Sequence, residues 1–401
     1  MSNRLEIPIP PDTMPLLHDA MCTIICTMLK LTGTMRKLEV TYDTERKLRK
    51  VIIEADENTV KRFLDRLDAF FGTEKLKPSS HISIEHWKYG LDTNGKKAYL
   101  YMGSDKLKVP SAVRKRFMAI VSKQRYLFAR GAKFIARREE KIERGIPKPK
   151  SGHLDIGVDG GIAQMFIRAL SKYFSYSLPL VHQRERVTVF VLLGNVPQQL
   201  SIIDSIVSYL YEVDERGLTI RLSPTIRSVL IPHNVAHLLV ETPDIAYYNL
   251  LFKVLHDYSK GTVDVRNWPP IRIYVYPGES LSEEKTILSY LDITYHEYIN
   301  ISEALKAMEQ RYGVSVSKIA NVVNMSIGKL CEIIAEAAGR RLEEILLAME
   351  VIMPSFRIFL NDLVCGKLNR EALYSITRML AGYERVDKRF SEVARILLAM
   401  L

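Results

Sequence analysis

Cysteine is scarce in this 401-residue chain, and the little there is does not pair. Cys22 and Cys26 share an apolar run, and Cys331 and Cys365 lie far from them and from each other. No CxxC pair is present to build a zinc site, and nothing suggests a disulfide framework, so a reducing, cytoplasmic compartment is expected. Long apolar runs are missing too. The most apolar N-terminal stretch, MCTIICTMLKL, is too short to span a bilayer, follows a proline-rich start and has no basic region before it. Neither a signal peptide nor a membrane anchor is expected. Repeats and low-complexity tracts are lacking.

The usual marks of an active site are thin as well. GVDGG, at residues 157–161, has neither GxGxxG nor GK[ST] and reads as a loop before a helix, not a phosphate cradle. The pairs His18-Asp19 and His256-Asp257 could hint at a metal phosphohydrolase, but each sits in an apolar helical context without a companion His and distal Asp. His81 and His86 flank a strand-like run and read as surface or core residues. The acids are scattered and form no nuclease-like cluster. No catalytic residue, metal or cofactor is expected, and the chain is not expected to be an enzyme.

What is present is cationic charge in one place. Residues 105–150, DKLKVPSAVRKRFMAIVSKQRYLFARGAKFIARREEKIERGIPKPK, hold 15 Lys or Arg and four acids. That excess of +11 equals the formal net charge of the whole chain, so the remainder is electrically balanced. From about 110 to 144 the pattern is helical, with Pro110 or Ser111 suited to its start. Val113, Phe117, Ile120, Val121, Leu127, Phe128 and Ile135 follow the spacing of one helical face. At about 100° per residue, Lys115, Lys123, Arg130, Lys133 and Arg137 fall within about 80° on another face. One side can dock on a core while the other offers a row of cations to a phosphate backbone. An ordinary solvated face would intersperse acids, and here none appears between Asp105 and Glu139. The candidate phosphate contacts are Lys106, Lys108, Arg114, Lys115, Arg116, Lys123, Arg125, Arg130, Lys133, Arg137 and Arg138.

The chain is long enough for two or three domains, and with 47% hydrophobic residues it can bury a sizeable core. The expected class is α+β: a mixed N-terminal and central body with a C-terminal helical bundle. The expected divisions are residues 1–150, ending in the basic helix, a central region 151–281 after the linker GIPKPKSG, and a bundle 282–401. Residues 7–15 read as an extended lead-in. Helices are expected at 15–31, 57–71, 163–174, 198–213 and 244–258. Strands are expected at 39–42, 50–54, 187–193, 218–222, 227–231 and 271–276. After 282 the pattern reads as helix throughout: 282–291, 301–312, 317–338, 341–353, 355–363, 370–383 and 388–401.

Two shorter features could also meet nucleic acid. Asn94-Gly95 in LDTNGKKA is a strong hairpin signal. Its tip would carry Asn94, Lys96 and Lys97, able to enter a duplex groove, or it is an ordinary surface turn. Tyr99, Tyr101 and Tyr126 lie near the cations and could stack on bases or simply pack in a core. VSKIANVVNMSIGKLCEII resembles a helix-turn-helix, with Ile319 and Ala320 in the first helix, Val323 and Met325 about a turn at Asn324, and Leu330 and Ile333 in the second. Its second helix would offer Ser326, Lys329 and Glu332 to bases. An ordinary bundle helix has similar spacing.

Taken together, PLLHDAMCTIICTMLKL after a proline-rich start, the segment VETPDIAYYNLLFKVLHDYSKGTVDVRNW, and the helical region from about 312 to 401 resemble the large subunit of an archaeal type I-A CRISPR Cascade. The resemblance spans most of the chain as architecture and rests on no catalytic motif. Some relatives carry a Cys-rich zinc insertion, which this chain lacks. The resemblance implies a non-catalytic subunit of a ribonucleoprotein in which crRNA pairs with target DNA. Such a subunit helps recognise a short flanking motif, holds DNA strands on basic surfaces and docks the helicase-nuclease. Base pairing then supplies sequence specificity while the protein supplies charge and a short duplex contact. Its partners are the crRNA-containing complex of other CRISPR subunits, target DNA and the helicase-nuclease, with no membrane. The competing expectation is a free-standing helix-turn-helix DNA-binding regulator.

Overall fold

A computed structural model of the chain describes residues 3–9, 15–33, 37–43, 48–56, 58–59, 62, 91–93, 96–98, 175–179, 186–213, 220–234, 236–277, 289–337 and 339–401. Helices and strands both contribute, and the class is α+β. The chain divides into two compact units that interleave in sequence. One is Met1–Tyr176, Thr188–Leu222 and Pro269–Leu288; the other is Ser177–Val187, Ser223–Trp268 and Ser289–Leu401.

In the first unit, β1 (Asn3–Ile9), β2 (Lys37–Asp43) and β3 (Leu48–Ala55) form an antiparallel sheet in the order β1-β3-β2. The first residues of the proline-rich lead-in, 7–9, thus lie in the sheet as the end of β1. Pro8, opposite Lys50 in the register, has no N–H to give to a ladder, and β1 lies at an edge where that is tolerated. Between β1 and β2 runs α1 (Pro15–Thr32), whose side chains from His18 to Leu29 are all buried. An all-round apolar helix can only be an interior one. Its threonines satisfy themselves within the helix: Thr27 Oγ1 donates to Thr23 O (2.8 Å) and Thr32 Oγ1 to Met28 O (2.6 Å).

β4 (Leu91–Thr93) and β5 (Lys96–Ala98) pair antiparallel, Thr93 opposite Lys96 and Leu91 opposite Ala98, the hairpin that Asn94-Gly95 predicts. Further along come β6 (Ser175–Pro179) and β7 (Arg186–Leu193), the latter buried from Val187 onward. Next are α2 (Leu200–Leu210), β8 (Tyr211–Val213) and β9 (Ile220–Leu222). β10 (Ile271–Pro277) hydrogen-bonds to β7. The helix expected over 198–213 stops at Leu210. Tyr211 turns extended to pair with Leu222, and its buried hydroxyl donates to Val191 O (2.5 Å).

The second unit is mostly helical. It holds α3 (Pro224–Leu230), a single 3-10 turn (Pro232–Asn234), α4 (His237–Glu241), α5 (Pro243–Ser259), β11 (Ser289–Ile293), α6 (Tyr295–Tyr312), α7 (Val316–Ala335), α8 (Gly339–Val364), α9 (Arg370–Gly382) and α10 (Arg389–Leu398). α5 is its hub, packing against α3, α4, β11, α6, α7 and α8. The ends are capped by sequence. Thr294 and Glu297 make a capping box at α6, whose C-terminus closes on Gly313 at φ 71. Ser315 accepts from Lys318 N at α7 (3.2 Å), and Asn369 from Ala372 N at α9 (3.0 Å).

Three expectations fail here, each for a local reason. Residues 227–231 are not a strand: Ser223 accepts from Ile226 N (3.3 Å) and Pro224 sits at the first helical position, which starts α3. Residues 282–291 are not a helix throughout, because β11 occupies Ser289–Ile293. Ser289, Leu291 and Ile293 are buried in strand alternation, and Ser289 Oγ donates to Leu239 O (2.5 Å). The helices expected at 341–353 and 355–363 are one helix that runs through Pro354. A mid-helix proline costs about 3 kcal/mol. Burying Ile352, Met353, Phe356 and Phe359 on either side offsets it, at about 1.5–3 kcal/mol each.

Candidate nucleic-acid interface

Lys106, Lys108, Arg114, Lys115, Arg116, Lys123, Arg125, Arg130, Lys133, Arg137, Arg138 and Asn94 lie outside the described residues. So do residues 157–161, His81, His86, Tyr99, Tyr101 and Tyr126. Lys96 and Lys97 are placed on β5, opposite Thr93 and Asp92.

The helix-turn-helix reading is corrected. Val316–Ala335 is one uninterrupted helix, and Asn324 lies inside it. Ile319, Ala320, Val323, Leu330 and Ile333 are buried where α7 packs on α5, α6, α8 and α10, which is what small and apolar residues at that spacing do in an ordinary bundle. Ser326 is buried, and Lys329 Nζ pairs with Glu332 and Glu392, each at 3.0 Å. Neither is posed to read bases.

The two His-Asp pairs have separate fates. In the second unit, His256 Nδ1 faces Ser317, 3.2 Å from its carbonyl and 3.0 Å from its hydroxyl, while Asp257 takes Lys253 Nζ (2.7 Å). In the first unit, Asp19 is the centre of a buried polar cluster. Its Oδ1 accepts from Arg272 Nη1 (2.8 Å) and His18 Nδ1 (3.0 Å), and its Oδ2 from the Tyr274 hydroxyl (2.5 Å). Acceptance by the carboxylate puts the imidazole proton on Nδ1. One turn on, Thr23 Oγ1 donates to Asp19 O (2.6 Å) and accepts from Leu193 N (2.8 Å), stitching α1 to the end of β7. Gly194 follows. A Cβ there would come within 3.0 Å of Arg272 Cζ, so glycine gives the guanidinium its seat. Asp19 and Tyr274 are fully buried, whereas Arg272 keeps 22% of its side chain exposed. With both carboxylate oxygens engaged, Asp19 is an ion-pair anchor that ties α1 to β10, not an exposed general base. The sequence carries no hint of it, since Asp19 and Arg272 lie 253 residues apart.

Buried thiols follow the same structural logic. All four cysteines are free. Burial, with Cys22 beside it, pushes the Cys26 thiol up, and burial pushes Cys331 up, so both are poor nucleophiles. Among the described residues, no group of three His, Cys, Asp or Glu converges to hold a metal, and no helix is long and apolar enough to cross a membrane.

At the end of the second unit, Asp387 is held by Arg389 through Nη2 (2.7 Å), Nε (3.0 Å) and the backbone N–H (2.9 Å), and by Arg341 Nη2 (2.7 Å). The Arg389 hydrogen bonds hold its carboxyl down at about 2. Arg389 also pairs with Glu336, tying the end of α7 to the start of α10. An acid whose folded pKa lies below its unfolded value stabilises at neutral pH and loses that contribution as pH falls from about 4 through 2. Asp387→Asn should therefore lower stability by about 2 kcal/mol at pH 7 and by much less at pH 2.5. Urea midpoints of wild type and variant at the two pH values check this; an equal loss at both would contradict it.

No protein family matches the chain, and no curated protein or solved structure matches it.

Proposed function

We propose that the chain is a non-catalytic, nucleic-acid-binding subunit of an RNA-guided CRISPR surveillance complex, of the kind played by the large subunit of an archaeal type I-A Cascade. The carrying observation is the concentration of the whole net charge, +11, in residues 105–150. A row of cations opposite an apolar helical face suits a phosphate backbone, and a balanced remainder leaves the charge aimed at one surface. The α+β class agrees with that reading. In its finer form, a mixed N-terminal and central body carries a C-terminal helical bundle. Its partners are crRNA with its other protein subunits, target DNA and the helicase-nuclease, in the cytoplasm. Catalysis belongs to the docked nuclease. Native low-salt purification of the tagged chain, with analysis of bound RNA and protein, is the test. Co-purified RNA with several protein partners is expected. A chain that purifies alone, free of RNA, would contradict the proposal.

The β4–β5 hairpin is the candidate reader of the flanking motif, with Asn94 at base edges and Lys96 and Lys97 at phosphate. Asn94→Ala should weaken binding only to targets that carry the motif, by about 1–3 kcal/mol. An equal loss on all DNA, or no loss, returns the hairpin to an ordinary surface turn.

A further inference from the structure

Helix α8 is apolar on two opposite faces. Its inner face, from Leu342 through Ile345, Ile352, Phe356 and Phe359 to Leu363, is buried. Its outer face carries Leu347, Val351 and Ile358, which are 62%, 46% and 57% exposed, with Pro354 exposed among them. At about 100° per residue these four fall within about 60°, diametrically opposite the buried face. A surface helix normally keeps that side polar.

The spacing is informative. Leu347, Val351, Pro354 and Ile358 follow one another by four, three and four residues, the a/d seam of a two-stranded coiled coil. The seam is about 16 Å long, three helical turns. Along one flank, the positions that meet a partner helix are Glu343, Glu350 and Arg357. All three are exposed, and Arg357 Nη2 is engaged by Asp244 (2.9 Å). Glu343 and Glu350 have no ion-pair partner among the described residues. On the other flank stand Ala348 and Ser355. A second copy of α8 would thus offer these glutamates no free cation. The complementary surface is an apolar seam flanked by bases.

We propose that the outer face of α8 docks an amphipathic helix of a partner protein, with leucine-like residues on its seam and lysine or arginine beside it. Helix-in-groove and coiled-coil recognition both work by such anchors. The inference does not depend on the nucleic-acid reading.

The test uses the full chain and two 21-residue helical peptides with leucine at a and d, one with lysine and one with glutamate at e and g, in fluorescence anisotropy. Wild type should bind the lysine peptide. Leu347→Ser with Ile358→Ser should weaken that binding about tenfold or more, as loss of central apolar anchors does. Both positions are exposed, so folding is spared. Glu343→Lys with Glu350→Lys should weaken the lysine peptide and improve the glutamate peptide. Equal binding of the lysine peptide to wild type and the serine variant overturns the proposal, as does indifference to the glutamate reversals. Size-exclusion chromatography closes the alternative: a wild-type dimer that the serine variant converts to monomer would make a second copy the occupant, and would overturn it too.

Discussion

Replacing Asp19 by alanine should destabilise the protein by about 3–5 kcal/mol, the cost of removing one partner from a buried ion pair. The carboxylate is fully buried and takes three side-chain donors: Arg272, Tyr274 and His18. Its loss leaves the tyrosine hydroxyl and the imidazole N–H without that acceptor, each worth about 1–3 kcal/mol when stranded. Arg272 reaches some solvent and recovers part of its hydration, which keeps the loss within that range. Replacing both charges, Asp19→Leu with Arg272→Met, should cost less than Asp19→Ala alone, because no unpaired charge remains. Urea unfolding of wild type and the two variants, followed by circular dichroism, gives the comparison. A loss below about 1 kcal/mol for Asp19→Ala would mean the cluster is incidental to the fold.

Much of this architecture was legible where periodicity acts alone. α1, α5, α9, β7 and β10 lie close to where their apolar patterns put them: α9 buries one periodic face, and α1, α5, β7 and β10 are apolar runs buried on most sides. The misses have separate local causes. At Ser223-Pro224 a strong helix start was present in the sequence, but the β-branched run after it suggested a strand. At Ser289–Ile293 the alternation is only five residues long and includes a serine whose burial depends on a carbonyl fifty residues away. Pro354 looked like a break, because the sequence does not show how much apolar surface the surrounding helix buries. The turn imagined at Asn324 came from reading small residues as a crossing of two helices, when α7 uses them to pack against its neighbours. The cluster at Asp19 was beyond sequence reasoning altogether. His18-Asp19 was visible as a pair, but Arg272 and Tyr274 come from a strand some 250 residues on.

The basic row at 105–150 makes the second large prediction. If Lys115, Lys123, Arg130, Lys133 and Arg137 meet phosphates, each contact releases condensed counterions, and log K falls with log salt by about 0.7–0.9 per contact according to strandedness. Lys123→Glu with Arg130→Glu removes two contacts. At 0.1 M salt that should weaken binding about 40-fold, for all sequences alike, and more if the reversed charges repel the backbone. Stability should be almost untouched, since both positions lie off the apolar face. Phe117→Ala, on that face, should instead cost about 3 kcal/mol or more if the face packs on a core. The measurement that decides the account is a salt titration of target-DNA binding by the assembled complex, wild type against the double reversal. The expected result is a steep wild-type slope that flattens by about 1.4–1.8 in the variant. An unchanged slope would contradict it, placing the cations toward solvent or an acidic protein neighbour.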